Sequence, residues 1–140
     1  MQNKKIEVVP YDSNWPKVFE VEAAKIKEAL GNNCIDVYHI GSTAVPHLPS
    51  KPKIDIIAVV IDPNKSISDL EKVLYTYKGE WNIPFKYGFT KRESVNVNLH
   101  VFEQEHPEIE LNLTFRDFLR EHPIVRDEYA SLKNNLLKDS

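Results

Sequence analysis

The sequence predicts one α/β domain, a mixed sheet with flanking helices, and three patterns carry that expectation. Residues 15–30 repeat apolar side chains at three- and four-residue steps, residues 54–61 form a nearly continuous apolar run, and residues 95–101 alternate apolar with polar. The first period is that of an amphipathic helix, the second that of a strand buried on both faces, the third that of a half-buried strand. At 140 residues the chain suits one domain, 1–140, and its 41% hydrophobic and 28% charged composition is that of a globular protein.

The first helix starts after Asp12, Ser13 and Asn14, all capping types, with Pro16 in its first turn. Trp15, Phe19, Ala23, Ile26 and Leu30 form its buried stripe, and Gly31 stops it. A short strand, "CIDVYHI", follows and ends at Gly41, and "KIDIIAVVI" is the second strand. In "SISDLEKVLYTYKG", Ser66 and Asp69 stand in capping-box positions before a stripe of Leu70, Val73, Leu74 and Tyr77, which predicts a second helix ending at Gly79. The runs "SVNVNLHVF" and "IELNLTF" both alternate and are expected to form a hairpin turning near His106. That hairpin would set Asn98, His100, Asn112 and Thr114 side by side, with Glu110 next in line. The rest reads as a short helix broken at Pro123 and a longer one with Val125, Tyr129, Leu132 and Leu136 inward.

Composition narrows the function. A net charge of −3 and a pI near 6.0 argue against general nucleic-acid binding, which needs clustered Lys and Arg. No run reaches membrane-spanning length, Cys34 has no partner for a disulfide, and the start of the chain has no apolar core of a signal peptide. A cytoplasmic location and no membrane partner are therefore expected. The oligomeric state is left open.

Asp55 is the anomaly, a single carboxylate inside the apolar run. A charge taken out of water needs partners. Lys51, Lys53 or backbone N–H groups could supply them, and so could a cation bridging Asp55 to a ligand. Upstream, Gly41, Ser42 and Thr43 follow a strand, where glycine lets a backbone approach closely and successive N–H groups can cradle a phosphate. The same residues also make an ordinary turn. His39 suits either a strand-end hydrogen bond or a phosphate contact. Arg116 is placed to pair with Asp117 or to grip a phosphate, Asp117 to cap a helix, and His122 to begin the last one.

"VVPYDSNW", "HIGSTAVPHLPSKPKIDI", "LHVF" and "FRDFLREHP" with "YASLK" resemble the GrpB family, and the likeness extends from residue 8 to about residue 133. The resemblance implies a nucleotidyltransferase-like fold, whose pattern is hydrophobic-Gly-Ser, a spacer, then Asp-hydrophobic-Asp/Glu on a strand. On that pattern Gly41, Ser42 and Thr43 would hold phosphates and Asp55 would bind Mg2+. The second carboxylate is missing, because Ile57 occupies its place. Glu110, His100 and Glu103 are the candidates to replace it, with Glu110 preferred because Mg2+ favours oxygen ligands.

Two classes of function follow from the resemblance. One is Mg2+-dependent transfer of a nucleotidyl group from an NTP to a small acceptor. Ser42 would position phosphates, Lys51 or Arg116 would balance charge, and His100 or Glu110 would orient the acceptor. The other is a module that holds a nucleotide or a CoA-like phosphate compound without transfer, a ligand class made relevant by GrpB-like domains fused to dephospho-CoA kinase. A partner-binding protein with a vestigial pocket is the third reading.

Overall fold

In the computed structural model the described residues are 7–139, and side-chain surroundings are described for 7–132. Helix α1 (Trp15–Leu30) leads into strand β1 (Cys34–Ile40), and β2 (Ile54–Val60) follows a loop that holds a 3-10 turn at Ser42–Ala44. Then come helix α2 (Pro63–Glu71), strands β3 (Thr76–Gly79), β4 (Tyr87–Arg92) and β5 (Asn96–Glu103), and helices α3 (Pro107–Glu121) and α4 (Pro123–Asp139). The five strands form one sheet in the order β1-β2-β5-β4-β3. Only β2 and β5 run parallel, so the sheet is mixed as expected.

The sheet's two faces divide the core. Ile54, Ile56, Ala58 and Val60 of β2 join Val97, Leu99 and Val101 of β5 against Trp15, Ala23, Ile26 and Leu30 of α1. On the other face, Ile57 and Val59 pack with Ile40, Phe102 and the α3 residues Ile109 and Leu113. Strand β2 is thus covered on both sides, which its continuous apolar sequence requires. No helix of the described residues is long and apolar enough to cross a membrane.

Several elements depart from the sequence expectation. Helix α2 starts earlier, because Asp62 caps it by accepting from the Asn64 backbone N–H at 3.1 Å and Pro63 occupies its first turn. It ends at Glu71, and Leu74 adopts a φ of 75° that turns Tyr75 into the core and frees Thr76–Gly79 to become β3. Residues 109–115 are helical rather than the second arm of a hairpin. His106 is the cap of α3, its Nδ1 accepting from the Glu108 backbone N–H at 3.1 Å. Strand β4 was not foreseen, since Gly88 and the buried Lys91 break the alternation a strand normally shows. In α4, Val125 and Leu132 are exposed, Tyr129 packs with Val45, Leu48 and Leu119, and the Leu136 side chain lies outside the described residues.

A polar cluster is buried where α1 meets the sheet. Glu22 is 3% exposed, and its Oε1 accepts from the Tyr75 hydroxyl at 2.9 Å and the Lys91 ammonium at 3.0 Å. Burial and the Glu22 carboxylate push the Tyr75 phenol far above the ordinary tyrosine range, so it stays a donor. A buried pair like this adds little net stability but is damaging to break. Glu22→Ala, which leaves the Lys91 charge buried without its carboxylate, should lower unfolding free energy in urea by roughly 3–5 kcal/mol. Replacing the pair together, Glu22→Leu with Lys91→Met, should recover most of that loss, and a single-variant loss below about 1 kcal/mol would contradict the assignment.

Candidate functional site

Asp55 is the one polar residue of β2, and its neighbours follow from register. It pairs with Ile40 on β1 and with Asn98 on β5, while Ile57 pairs with His100. Asp55, Ile57 and His100 therefore face the α3 side. The His100 Nε2 lies 3.4 Å from Asp55 Oδ1, so a histidine rather than Lys51 or Lys53 is the carboxylate's side-chain neighbour. Above Asp55 the chain leaves β1 at Gly41, whose φ of 75° and ψ of −171° suit glycine. A Cβ there would stand 3.0 Å from Asp55 Oδ2, so glycine is needed for the close approach as well as for the turn.

The Gly41 turn is held from α3. Arg116 donates to the His39 carbonyl at 3.1 Å and pairs with Asp117, while Arg120 donates to the Ala44 carbonyl at 2.9 Å. Both guanidiniums stand beside the turn with one carboxylate between them. Burial and the Arg116 charge hold Arg120 below the usual arginine range. Beneath the turn, His39 Nε2 and Thr43 Oγ1 are 2.9 Å apart and the imidazole stacks on Phe19. His39 is thus a structural hydrogen-bonding residue, and its Thr43 partner is 1% exposed. Burial first, then the Arg120 charge, lower the His39 pKa to about 4.

A cavity of about 220 Å³ opens at this point, lined by Gly41, Asp55, Lys86, His100, Glu108 and Asn112 among others. Lys86 was not foreseen as part of it. It is only 4% exposed, and its ammonium lies 4.9 Å from the centre of the Trp81 ring. Trp81 in turn meets His100 edge-on at 5.3 Å and rests on Gly88, where a Cβ would come within 2.6 Å of the indole. The one sequence signal was a lysine set between Phe85 and Tyr87, in a run where a solvated cation is out of place. A larger cleft of about 520 Å³ lies beyond the other end of β2 and β5, lined by Asp62, Phe85, Tyr87 and Glu103. Of the sequence candidates only Glu103 faces it.

The sequence candidates divide accordingly. Gly41, Asp55 and His100 line one cavity, and Ser42 and Thr43 continue its turn. Asn112 reaches it from α3 instead of from a strand, with Glu108 one turn before it. Glu110 does not line it. It lies exposed on α3, where a helical period points it away from Glu108 and Asn112. Thr114 is exposed on α3, Asn98 accepts from Arg92 at 2.8 Å, and Lys51 is half-buried in the loop before β2, apart from the cavity lining. Asp117 lies within α3 and pairs with Arg116 and Arg120 rather than capping, and His122 closes α3. Ile57 is fully buried in apolar packing, so no carboxylate stands beside Asp55 on its own strand. Among the described residues no group of three or more His, Cys, Asp or Glu is placed to hold a metal ion.

Comparison with known proteins places this geometry in a wider set. Residues 5–140 match the family model described as GrpB protein. A UPF0157 protein of Halalkalibacterium halodurans is 42% identical over 96% of the chain and 70% of its own length. Another, from Bacillus subtilis, is 35% identical over 95% of the chain, which spans only 40% of that relative. The crystal structure of the conserved protein GrpB from Enterococcus faecalis superposes with a TM-score of 0.87 at 33% identity, covering 95% of this chain and 84% of that one. A cytoplasmic RNA terminal U-transferase superposes with a TM-score of 0.56 at 8% identity over 84% of this chain and 38% of that one, a likeness of fold alone. The fold is nucleotidyltransferase-like.

The pKa of His39 sets a pH dependence. Its folded value, about 4, lies below the ordinary 6.5, so the unfolded chain binds the proton more tightly. The contribution is complete above about pH 6.5 and is lost as pH falls toward 4, a difference of roughly 3 kcal/mol at pH 4. His39→Gln should flatten that part of a stability profile measured by urea denaturation between pH 4 and 7. An unchanged slope in the variant would contradict the assignment.

Proposed function

The chain belongs to the GrpB family, and we propose that it holds a small phosphorylated ligand, a nucleotide or a CoA-like compound, with the phosphates at the Gly41–Thr43 turn beside Asp55. The observation that carries this reading is the turn itself. It closes over a carboxylate so tightly that a Cβ at Gly41 would stand 3.0 Å from it, while Arg116 and Arg120 hold the carbonyls on either side. The two guanidiniums are balanced by Asp117 between them and Asp55 against the turn, so an anion would be held there by the close approach of the backbone and by a cation at Asp55. The cavity next to it, at about 220 Å³, is below the usual range for a whole organic ligand. It suits the phosphate end of a larger molecule.

The donor set bears on Mg2+. Mg2+ is commonly held by one or two carboxylates plus substrate phosphates rather than by a protein cage. Asp55 fits that arrangement for an ion that arrives with the ligand, and it would neutralise phosphate charge there. Among the described residues no cluster of His, Cys, Asp or Glu fits a resident ion held by protein groups alone.

Nucleotidyl transfer to a small acceptor is the second reading, favoured by the His100 contact with Asp55. An imidazole beside a carboxylate can accept a proton from an acceptor hydroxyl. Against it stands Ile57, which cannot bind the second ion of a two-metal transfer. Binding without transfer is therefore the leading reading.

A thermal-stability panel of nucleotides and CoA precursors, each with and without Mg2+, tests the reading. A ligand at a hundredfold excess over its Kd should stabilise the native state by about 2.7 kcal/mol. Asp55→Asn should abolish the part of that stabilisation which depends on Mg2+. No response to any phosphorylated compound would sink the proposal, and release of pyrophosphate from an NTP would move transfer to the front.

A further inference from the structure

The cavity contains one charge that its own surroundings do not satisfy. Lys86 comes from the loop end just before β4 and is buried to 4% exposure. Among the described residues its ammonium makes no hydrogen bond or ion pair, and the Trp81 ring is its contact. Lys91, the other buried lysine, lies 3.0 Å from a carboxylate oxygen. Buried charges are normally paired and hydrogen-bonded, and among the described residues no fully buried side-chain polar atom lacks a partner, so the Lys86 ammonium keeps contact with solvent through the cavity, where its three N–H donors are open to an anion.

The carboxylates of that cavity have other partners. Asp55 Oδ1 has His100 at 3.4 Å, and Glu108 Oε1 has the Asn112 amide at 3.5 Å. The charges of Asp55 and Glu108 still act on Lys86 from beyond ion-pair distance and favour its protonation. Burial outweighs them and lowers its pKa. The ammonium is left under-compensated by protein groups, in a cavity that Gly41 also lines.

We propose that Lys86 is the anion-binding residue of this cavity, where it receives a terminal phosphoryl group of the ligand with or without a divalent cation. This rests on the phosphate reading of the same site and assigns the role expected of Lys51 to a different lysine. A phosphoryl group fits because it supplies several acceptor oxygens to the three donors and is small enough for the space. Trp81 steadies the lysine stem and ammonium through a cation–π contact, and the Gly88 niche holds the ring in place.

Calorimetric titration with inorganic pyrophosphate in EDTA tests the assignment on the full chain. Wild-type protein should bind, Lys86→Met should bind at least tenfold more weakly, and Lys86→Arg should retain more of the affinity than Lys86→Met. Asp55→Asn should gain affinity in EDTA, since it removes a carboxylate that repels the anion. That sign is opposite to its effect on Mg2+-dependent binding. Because Lys86→Met could fail to fold, reductive methylation of the wild-type protein gives a second readout: pyrophosphate should protect Lys86, seen by peptide mass mapping. Absence of wild-type binding, undiminished binding by a folded Lys86→Met, or an unprotected Lys86 would each overturn the inference. If pyrophosphate binds through Lys86 while no nucleotide or CoA compound does, the inference stands and the proposed ligand class falls. If nucleotides bind only with Mg2+ and equally well to Lys86→Met, the reverse holds.

Discussion

Strand β2 constrains everything around it. It is hydrogen-bonded on both edges and covered on both faces, so each of its residues must be apolar or have a defined polar neighbour. Asp55 is the exception it carries, and the exception sits at the start of the strand, where α3 and the Gly41 turn leave a cavity. Moving the carboxylate two residues on, to position 57, would place it in packed hydrocarbon. The polar chemistry of β2 is confined to one end for that reason.

The two faces of the sheet solve the problem of a buried lysine differently. On the α1 side, Lys91 donates to Glu22 and Tyr75 shares the same oxygen, so the cluster is closed and serves packing. On the α3 side, Lys86 has a ring beneath it, two carboxylates at a distance and space in front. A closed cluster locks helix to sheet, whereas an open one is a place for a ligand to complete. The contrast separates a structural charge from a functional one more sharply than burial alone, since both lysines are almost wholly buried.

Much of this was legible in the sequence, and the parts that were not have physical causes. The continuous run of β2 and the stripe of α1 each admit one period, and both elements formed as expected. The Gly41 turn and its meeting with Asp55 were legible from residue chemistry together with the family resemblance. Residues 109–115 are ambiguous in sequence because positions four apart, such as Ile109 and Leu113, satisfy a period of 2 as well as one of 3.6. Pro107 in the first turn and the His106 cap decide for the helix, and with it Glu110 leaves the site. Lys86 was hidden because its burial depends on a contact with Trp81 that local patterning does not encode. The same contact depends on Gly88 across the loop, a glycine kept for the space it leaves.

The proposed site seats a phosphoryl group between the Gly41 turn and Lys86. A crystal structure of the protein soaked with pyrophosphate in EDTA tests it most directly. Tetrahedral density is expected in the cavity, within hydrogen-bond distance of Lys86 Nζ and of the backbone at the Gly41 turn. Pyrophosphate seated elsewhere, with the cavity free of it and Lys86 still resting on Trp81, would contradict it.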